Sequence, residues 1–352
     1  MSAREDILRA VRFESPETIP MHFHINAACW QRYPQDALQE LMASHPMLFP
    51  GFTPSARPIV PDFACNARAE SPYTDSWGCV WQTTEDGIVG TVTGHPLVDW
   101  GAFDEFRAAA PDPSKCDGLC GIDWDATGQR LARARAEGRL ATGGLPHGHT
   151  FLRLCDIRGY EGLLFDMADG ESRLTELVGL VERFNLEIVR RYIEAGAEYI
   201  YYAEDLGMQV GPMLSPAHFG TYIKPVYQRM MTPARQAGCI VHMHSDGDIR
   251  LLVEDLIDGG VDVLNLQDLV NGIDWIAANL RGRVCIELDV DRQHITPFAP
   301  AEQVDSLIRT EVASLGSREG GLMMIYGLYP GVPLANVKAL MDAMETYATY
   351  YS

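Results

Sequence analysis

The chain has 352 residues, 47% of them hydrophobic, enough for one large core or two domains. Its net charge is −20, with 48 acidic against 28 basic residues, and such a surface repels nucleic acid and anionic lipid. No apolar run approaches the roughly 20 residues that cross a membrane. The opening Met1-Ser2-Ala3-Arg4-Glu5-Asp6 has no secretory apolar region. The eight cysteines are scattered without a Cys-x-x-Cys pair, which predicts reduced thiols in a cytoplasmic protein.

In chain order, residues 4–13 read as an amphipathic helix, 19–24 as a first strand and 35–45 as a second helix. From about 50 to 115 the pattern changes to Pro, Gly and aromatics, including Trp77, Trp81 and Trp100. Residues 77–83 and 88–92 read as a hairpin across Glu85-Asp86-Gly87, carried on an insertion rather than an independent domain. Helices and strands then alternate. Helices are expected at 124–137, 153–168 and 171–195, and strands at 140–145 and 199–202. Ser215-Pro216 pairs an N-cap with Pro at the first helical position. Strands follow at 239–244, 261–266, 284–288 and 321–326, and helices at 249–258, 272–280, 300–315 and 333–350. Short apolar strands separated by single helices predict parallel β/α architecture. About eight such units favour a closed (β/α)8 TIM barrel, an α/β fold, over an open sheet.

In such a barrel the site lies at the carboxyl ends of the strands. Ionisable groups gather at those ends: His22 and His24, His147 and His149, Glu204 and Asp205, and Glu287 with Asp289. Tyr326 ends the last strand. The densest group is Val241-His242-Met243-His244-Ser245-Asp246-Gly247-Asp248. Alternate strand residues face the same way, so His242, His244 and Asp246 share one face. Imidazole with carboxylate suits a divalent metal or acid–base work near neutral pH. The other reading is a hydrogen-bonded core histidine with an Asp cap. His147 and His149 flank a glycine and read as loop residues rather than ligands. Glu204 and Asp205 are adjacent, so only one need enter the site. There is no P-loop, no Rossmann glycine signature and no Gly-x-Ser-x-Gly elbow.

These residues resemble the uroporphyrinogen decarboxylase superfamily, which includes corrinoid-dependent methyltransferases. The resemblance runs over about residues 4 to 350. It is carried by Tyr73-Thr74-Asp75-Ser76-Trp77-Gly78-Cys79-Val80-Trp81, by Glu204-Asp205-Leu206-Gly207-Met208-Gln209, and by Leu214-Ser215-Pro216 with Tyr222-Ile223-Lys224-Pro225. It continues in His244-Ser245-Asp246-Gly247-Asp248-Ile249, Gly260-Val261-Asp262-Val263-Leu264-Asn265 and Val332-Pro333-Leu334-Ala335-Asn336-Val337. It implies one (β/α)8 barrel domain over 1–352, with the 50–115 insertion packed on it.

Two departures shape the expected chemistry. The decarboxylase resembles a chain with Arg-Gln-Ala-Gly-Arg after its first strand, a clamp for tetrapyrrole carboxylates. Here His24-Ile25-Asn26-Ala27-Ala28-Cys29-Trp30-Gln31-Arg32 stands there, with one Arg. The family's thiol-directed methyltransferases look like His-x-Cys-Gly at the central strand, with another Cys in the last loop. Here Asp246 replaces the first cysteine, and Gly327-Leu328-Tyr329-Pro330-Gly331 holds none. A soft thiolate site has become a nitrogen and oxygen one.

The resemblance thus implies a metal-dependent methyltransferase that moves a methyl group from a small, O-methyl aromatic compound to a corrinoid protein. The alternative is a decarboxylase or lyase acting on a small carboxylic acid. A third is a barrel that only binds a tetrapyrrole or corrinoid. The expected metal is zinc, held by His244 with His242, Asp246 or Glu204. Asp205, His24 and Tyr326 are the expected catalytic groups, the last two as proton donors to the leaving group. His22, Trp30, Tyr201, Tyr202 and Glu287 are expected to meet substrate. A homodimer is expected too, with Tyr73 and Trp77 as exposed aromatics.

Overall fold

The computed structural model describes residues 3–351. Its strands, in chain order, are β1 Met21–Ile25, β2 Tyr73–Thr74, β3 Val80–Gln82, β4 Thr91–Gly94, β5 Thr142–Leu145, β6 Tyr199–Asp205, β7 Ile240–Asp246, β8 Val263–Gln267, β9 Cys285–Asp289 and β10 Leu322–Leu328. Every strand expected from the sequence forms. Two compact units divide the chain: one runs to Phe63 and resumes at Asn265, the other is Ala64–Leu264. β8 straddles the second division. Among the described residues no helix is long and apolar enough to cross a membrane.

In the Ala64–Leu264 unit, β5, β6 and β7 pair in parallel, with Gly143 opposite Ile200 and Tyr201 opposite His242. In the other unit, β1 pairs with β10 and β10 with β9, again in parallel, with Met21 opposite Met324 and Leu288 opposite Met324. All five β9 residues are buried, as expected for parallel strands covered on both faces. Helices follow the strands, and the fold is of the (β/α)8-barrel class.

The expected helix over 153–168 is two helices, Phe151–Arg158 and Tyr160–Asp169. Gly159 breaks it at φ +77°, a conformation that costs most residues strain. Ser215 caps as expected, its Oγ accepting from His218 N at 3.1 Å. The 50–115 segment contains the short antiparallel set β2, β3 and β4. Asp75 anchors it, accepting from Trp77 N, Cys79 N, Trp81 Nε1 and Arg153 Nη1. That aspartate explains why the Tyr73–Trp81 stretch has a recognisable pattern: it is a structural hub. Two expectations fail in this segment. Trp77 is buried against Phe106 and Phe184 rather than exposed, and Tyr73 is half-buried and donates to Leu119 O. Cys65 and Cys120 form a disulfide, so the thiols are not all reduced. The spacing hid this pair because 55 residues separate its members. The other six cysteines are buried and free.

Candidate metal centre

The site is built on β6 and β7. Their register sets Tyr201 opposite His242, Ala203 opposite His244 and Asp205 opposite Asp246. Even-numbered β6 residues face the helix layer. Tyr202 donates to Met230 O at 3.1 Å, on the Lys224–Gln236 helix, and Glu204 receives the first amides of the Phe151–Arg158 helix. Asp205 therefore points to the opposite face, and His244 joins it there.

His147 completes the group from the loop after β5. Its Nε2 lies 3.2 Å from Asp205 Oδ1. His244 Nε2 lies 3.7 Å from Asp205 Oδ1 and 3.7 Å from Asp246 Oδ1. Asp246 N donates to Asp205 Oδ1 at 3.1 Å. One ligand atom each from His147, Asp205 and His244 lies within 4.8 Å of the others. Two imidazoles and a carboxylate converging at this spacing fit a divalent metal with nitrogen and oxygen preferences.

Without metal, Asp205 and the imidazoles shift one another's titration. Burial would lower the His147 pKa, but the hydrogen bond and charge of Asp205 outweigh it and leave it raised. Burial likewise pushes Asp205 up, and His147, His244 and the Asp246 amide together hold it below the usual range. A metal would bind the neutral imidazoles and bring a positive charge to the carboxylates.

The sequence-expected residues divide sharply. His244 and Asp246 join Asp205, and His147 joins them although its sequence read as loop. The signal for it was position: His147 stands two residues past the carboxyl end of β5, where barrel sites lie. His242 shares the face of His244 but packs lower on the strand, against Tyr201 at 4.6 Å and Tyr199 at 5.7 Å. Tyr201 is thus on the site's face. Tyr202 is fully buried on the other face, a packing residue rather than a substrate wall. Glu204 is likewise turned away into the helix layer, because adjacent strand residues alternate.

The Asn265-containing unit holds the remaining expectations. His22 Nδ1 meets Glu287 Oε1 at 2.9 Å. Burial lowers the His22 pKa, yet the Glu287 bond and charge leave it raised. Glu287 is buried, and His24 is exposed. Tyr326 is fully buried, 3.0 Å from Thr296 Oγ1 and packed on Phe23. Burial pushes its pKa up to about 12, which suits a structural hydroxyl better than a proton donor. Trp30 is half-buried, its carbonyl accepting from Gln35 Nε2. Sequence reasoning missed Arg292, whose guanidinium pairs with Asp289 at 2.7 Å after β9.

Comparison with known proteins agrees with this architecture. The profile of the uroporphyrinogen decarboxylase (URO-D) family matches residues 130–347. Human uroporphyrinogen decarboxylase is 25% identical over 164 residues, covering 44% of this chain and 42% of that protein. A Thermus thermophilus enzyme of the same name is 28% identical over 167 residues, 46% of each. The match thus spans less than half the length of these relatives. Over the full length of both chains, the structure resembles a methyltransferase from Methanosarcina mazei, with a TM-score of 0.67 and 16% identity. That likeness concerns the fold, a (β/α)8 barrel. The profile match takes in β5 to β10 and every residue of the candidate centre, and on that ground the chain belongs to the uroporphyrinogen decarboxylase family.

Proposed function

We propose that this chain is a metal-dependent methyltransferase of its family. It takes a methyl group from a small methylated compound, an O-methyl aromatic foremost, and passes it to a corrinoid protein. The observation that carries the reading is the convergence of His147, Asp205 and His244, a nitrogen and oxygen donor set without a thiol. Such a set suits an oxygen-bearing substrate better than a thiol. The corrinoid partner rests on kinship alone.

His147, Asp205 and His244 would hold the metal, with Asp246 beside them. Bound there, a divalent ion such as zinc supplies Lewis-acid stabilisation of the negative charge that develops on a leaving oxygen. The chain's own residues do the rest. Asp205 Oδ1 faces both imidazoles, 3.2 Å from His147 Nε2 and 3.7 Å from His244 Nε2, so the carboxylate balances the charge of the ion they would hold. Tyr201, four residues before Asp205 on the same face, offers an aromatic surface to a ring-bearing substrate.

A lyase reading is favoured by the names of the relatives, which are decarboxylases. The His22–Glu287 pair could supply a proton to a carbanion. One experiment separates the two. Metal-replete protein is mixed with an aryl methyl ether, with and without a reduced corrinoid protein. Methylcorrinoid absorbance and free phenol, both requiring the corrinoid, support methyl transfer. Release of carbon dioxide from small carboxylic acids without corrinoid, and no phenol, would replace it with the lyase.

A further inference from the structure

Glu204 stands next to Asp205 but points to the opposite side of β6. It is fully buried. Its Oε1 accepts from Thr150 N at 3.2 Å and Leu152 N at 3.2 Å. Its Oε2 accepts from Thr150 N at 3.2 Å, Phe151 N at 2.9 Å and Tyr227 Oη at 2.5 Å. Thr150, Phe151 and Leu152 open the Phe151–Arg158 helix. Their amides have no partner within the helix, and burial makes an external acceptor necessary. A carboxylate there also meets the positive end of the helix dipole.

The same loop carries His147. Gly148 N donates to Ala203 O at 2.9 Å. Asn185 Nδ2 donates to His149 O at 2.7 Å. The loop is thus tied to β6 at Ala203 and at Glu204, the two residues immediately before Asp205. His147 stands beside those ties and reaches Asp205.

We infer that Glu204 is a positioning residue for His147. Glu204 fixes the start of the helix from behind the strand, and the fixed loop then presents the His147 ring to Asp205 in front. One strand thereby supplies a ligand to the site with one side chain and the clamp for a second ligand with the next. The clamp depends on charge as well as shape. A glutamine at 204 would turn an NH2 group towards amides that can only donate, and the loop must then move. The affinity readout below rests on the metal reading proposed above; the clamp itself does not.

The test is a double-mutant cycle with Co2+ alone as the probe, followed by visible absorption. Glu204→Gln should weaken Co2+ binding about tenfold or more, the usual cost of losing an outer support of a metal ligand. The same change in a His147→Ala background should add little, because the clamp then has nothing to present. In a His244→Ala background the loss should persist. Unchanged affinity in Glu204→Gln, or an equal loss with and without His147, would overturn the inference. If the wild-type protein binds no Co2+, the metal reading fails, and crystal structures without metal decide the clamp. His147 withdrawn from Asp205 in Glu204→Gln then supports it, and a ring that keeps its 3.2 Å contact with Asp205 overturns it. Should Glu204→Gln not fold, Tyr227→Phe removes one bond to the carboxylate and is put through the same cycle, with the same outcomes.

Discussion

The His147 pKa is raised because, although partial desolvation lowers it, the hydrogen bond and charge of Asp205 outweigh that effect. In metal-free protein this raised pKa contributes stability that is fully present below the histidine's unfolded value, near 6.5, and is lost as pH rises through the folded value. Metal binding has the opposite dependence, since the proton must leave first. Co2+ affinity should therefore fall as pH drops below the raised His147 pKa, by up to about tenfold per pH unit for one proton. A flat profile between roughly pH 5.5 and 8 would show that His147 does not ligate. His244→Ala should lose bound metal and cut turnover by about 10²–10³-fold or more. It should cost only about 0–2 kcal/mol in stability, because a side chain at a strand end leaves no core cavity. Melting temperature and metal content on one preparation check both; outright unfolding would mark His244 as a core residue instead. The His242-x-His244-x-Asp246 face was legible because strand alternation is local. His147 was not legible, because its partner lies 58 residues away and a glycine-flanked loop shows no periodicity. Glu204 was misplaced for a simpler reason: two adjacent acids on a strand must part, and sequence does not say which goes inward.

At the scale of elements, the chain end of β7 is locked by backbone rather than by side chains. A Cβ on Gly247, at φ +81°, would lie 2.2 Å from Gly207 C, and one on Gly207 would lie 2.5 Å from Asp248 N. Neither neighbour is a side chain that could rotate away. Gly247→Ala should cost at least about 1–3 kcal/mol, seen as a lowered melting temperature, and a neutral result would mean the two turns separate easily. The Ala301–Leu315 helix has a different internal tension. Its Glu311 is fully buried, and burial together with Asp268 pushes its pKa well above the normal range. Neither Glu311 oxygen meets a donor among the described residues, so the contact with Asp268 is favourable only when a proton is shared. An acid whose folded pKa is raised loses stability as pH climbs from its unfolded value to its folded one. Glu311→Gln, which mimics the protonated form, should raise the melting temperature relative to wild type at pH 8, and the gain should shrink towards pH 5. A gain independent of pH would contradict the shared proton. Helix and strand positions were largely legible because apolar periodicity decides them. The split of the 153–168 helix at Gly159 was missed because one left-handed residue barely alters that periodicity.

For the molecule as a whole, kinship still motivates the expectation of a homodimer, but not through Tyr73 and Trp77, which pack inward. The exposed apolar side chains are others, among them Phe165, Val210 and Leu251. Light scattering that gave a monomer mass at micromolar concentration would count against a dimer. The class of fold was legible from the count of strand and helix units, whereas the division into two units was not, because it depends on which distant segments meet. That division has a consequence for how the protein is made. β1 pairs with β10, and Met21 sits opposite Met324, so the two are 303 residues apart. At about 5–20 residues per second, a ribosome takes roughly 15–60 s to cover that distance. The Ala64–Leu264 stretch is completed before that interval ends, while throughout it β1 exposes apolar residues and unpaired amides to any chaperone or stray strand nearby. Nascent chains stalled before Leu322 should thus be cleaved by protease at or before β1 yet resist it between β5 and β7. Equal resistance in both regions would mean that β1 finds a temporary partner in the nascent chain.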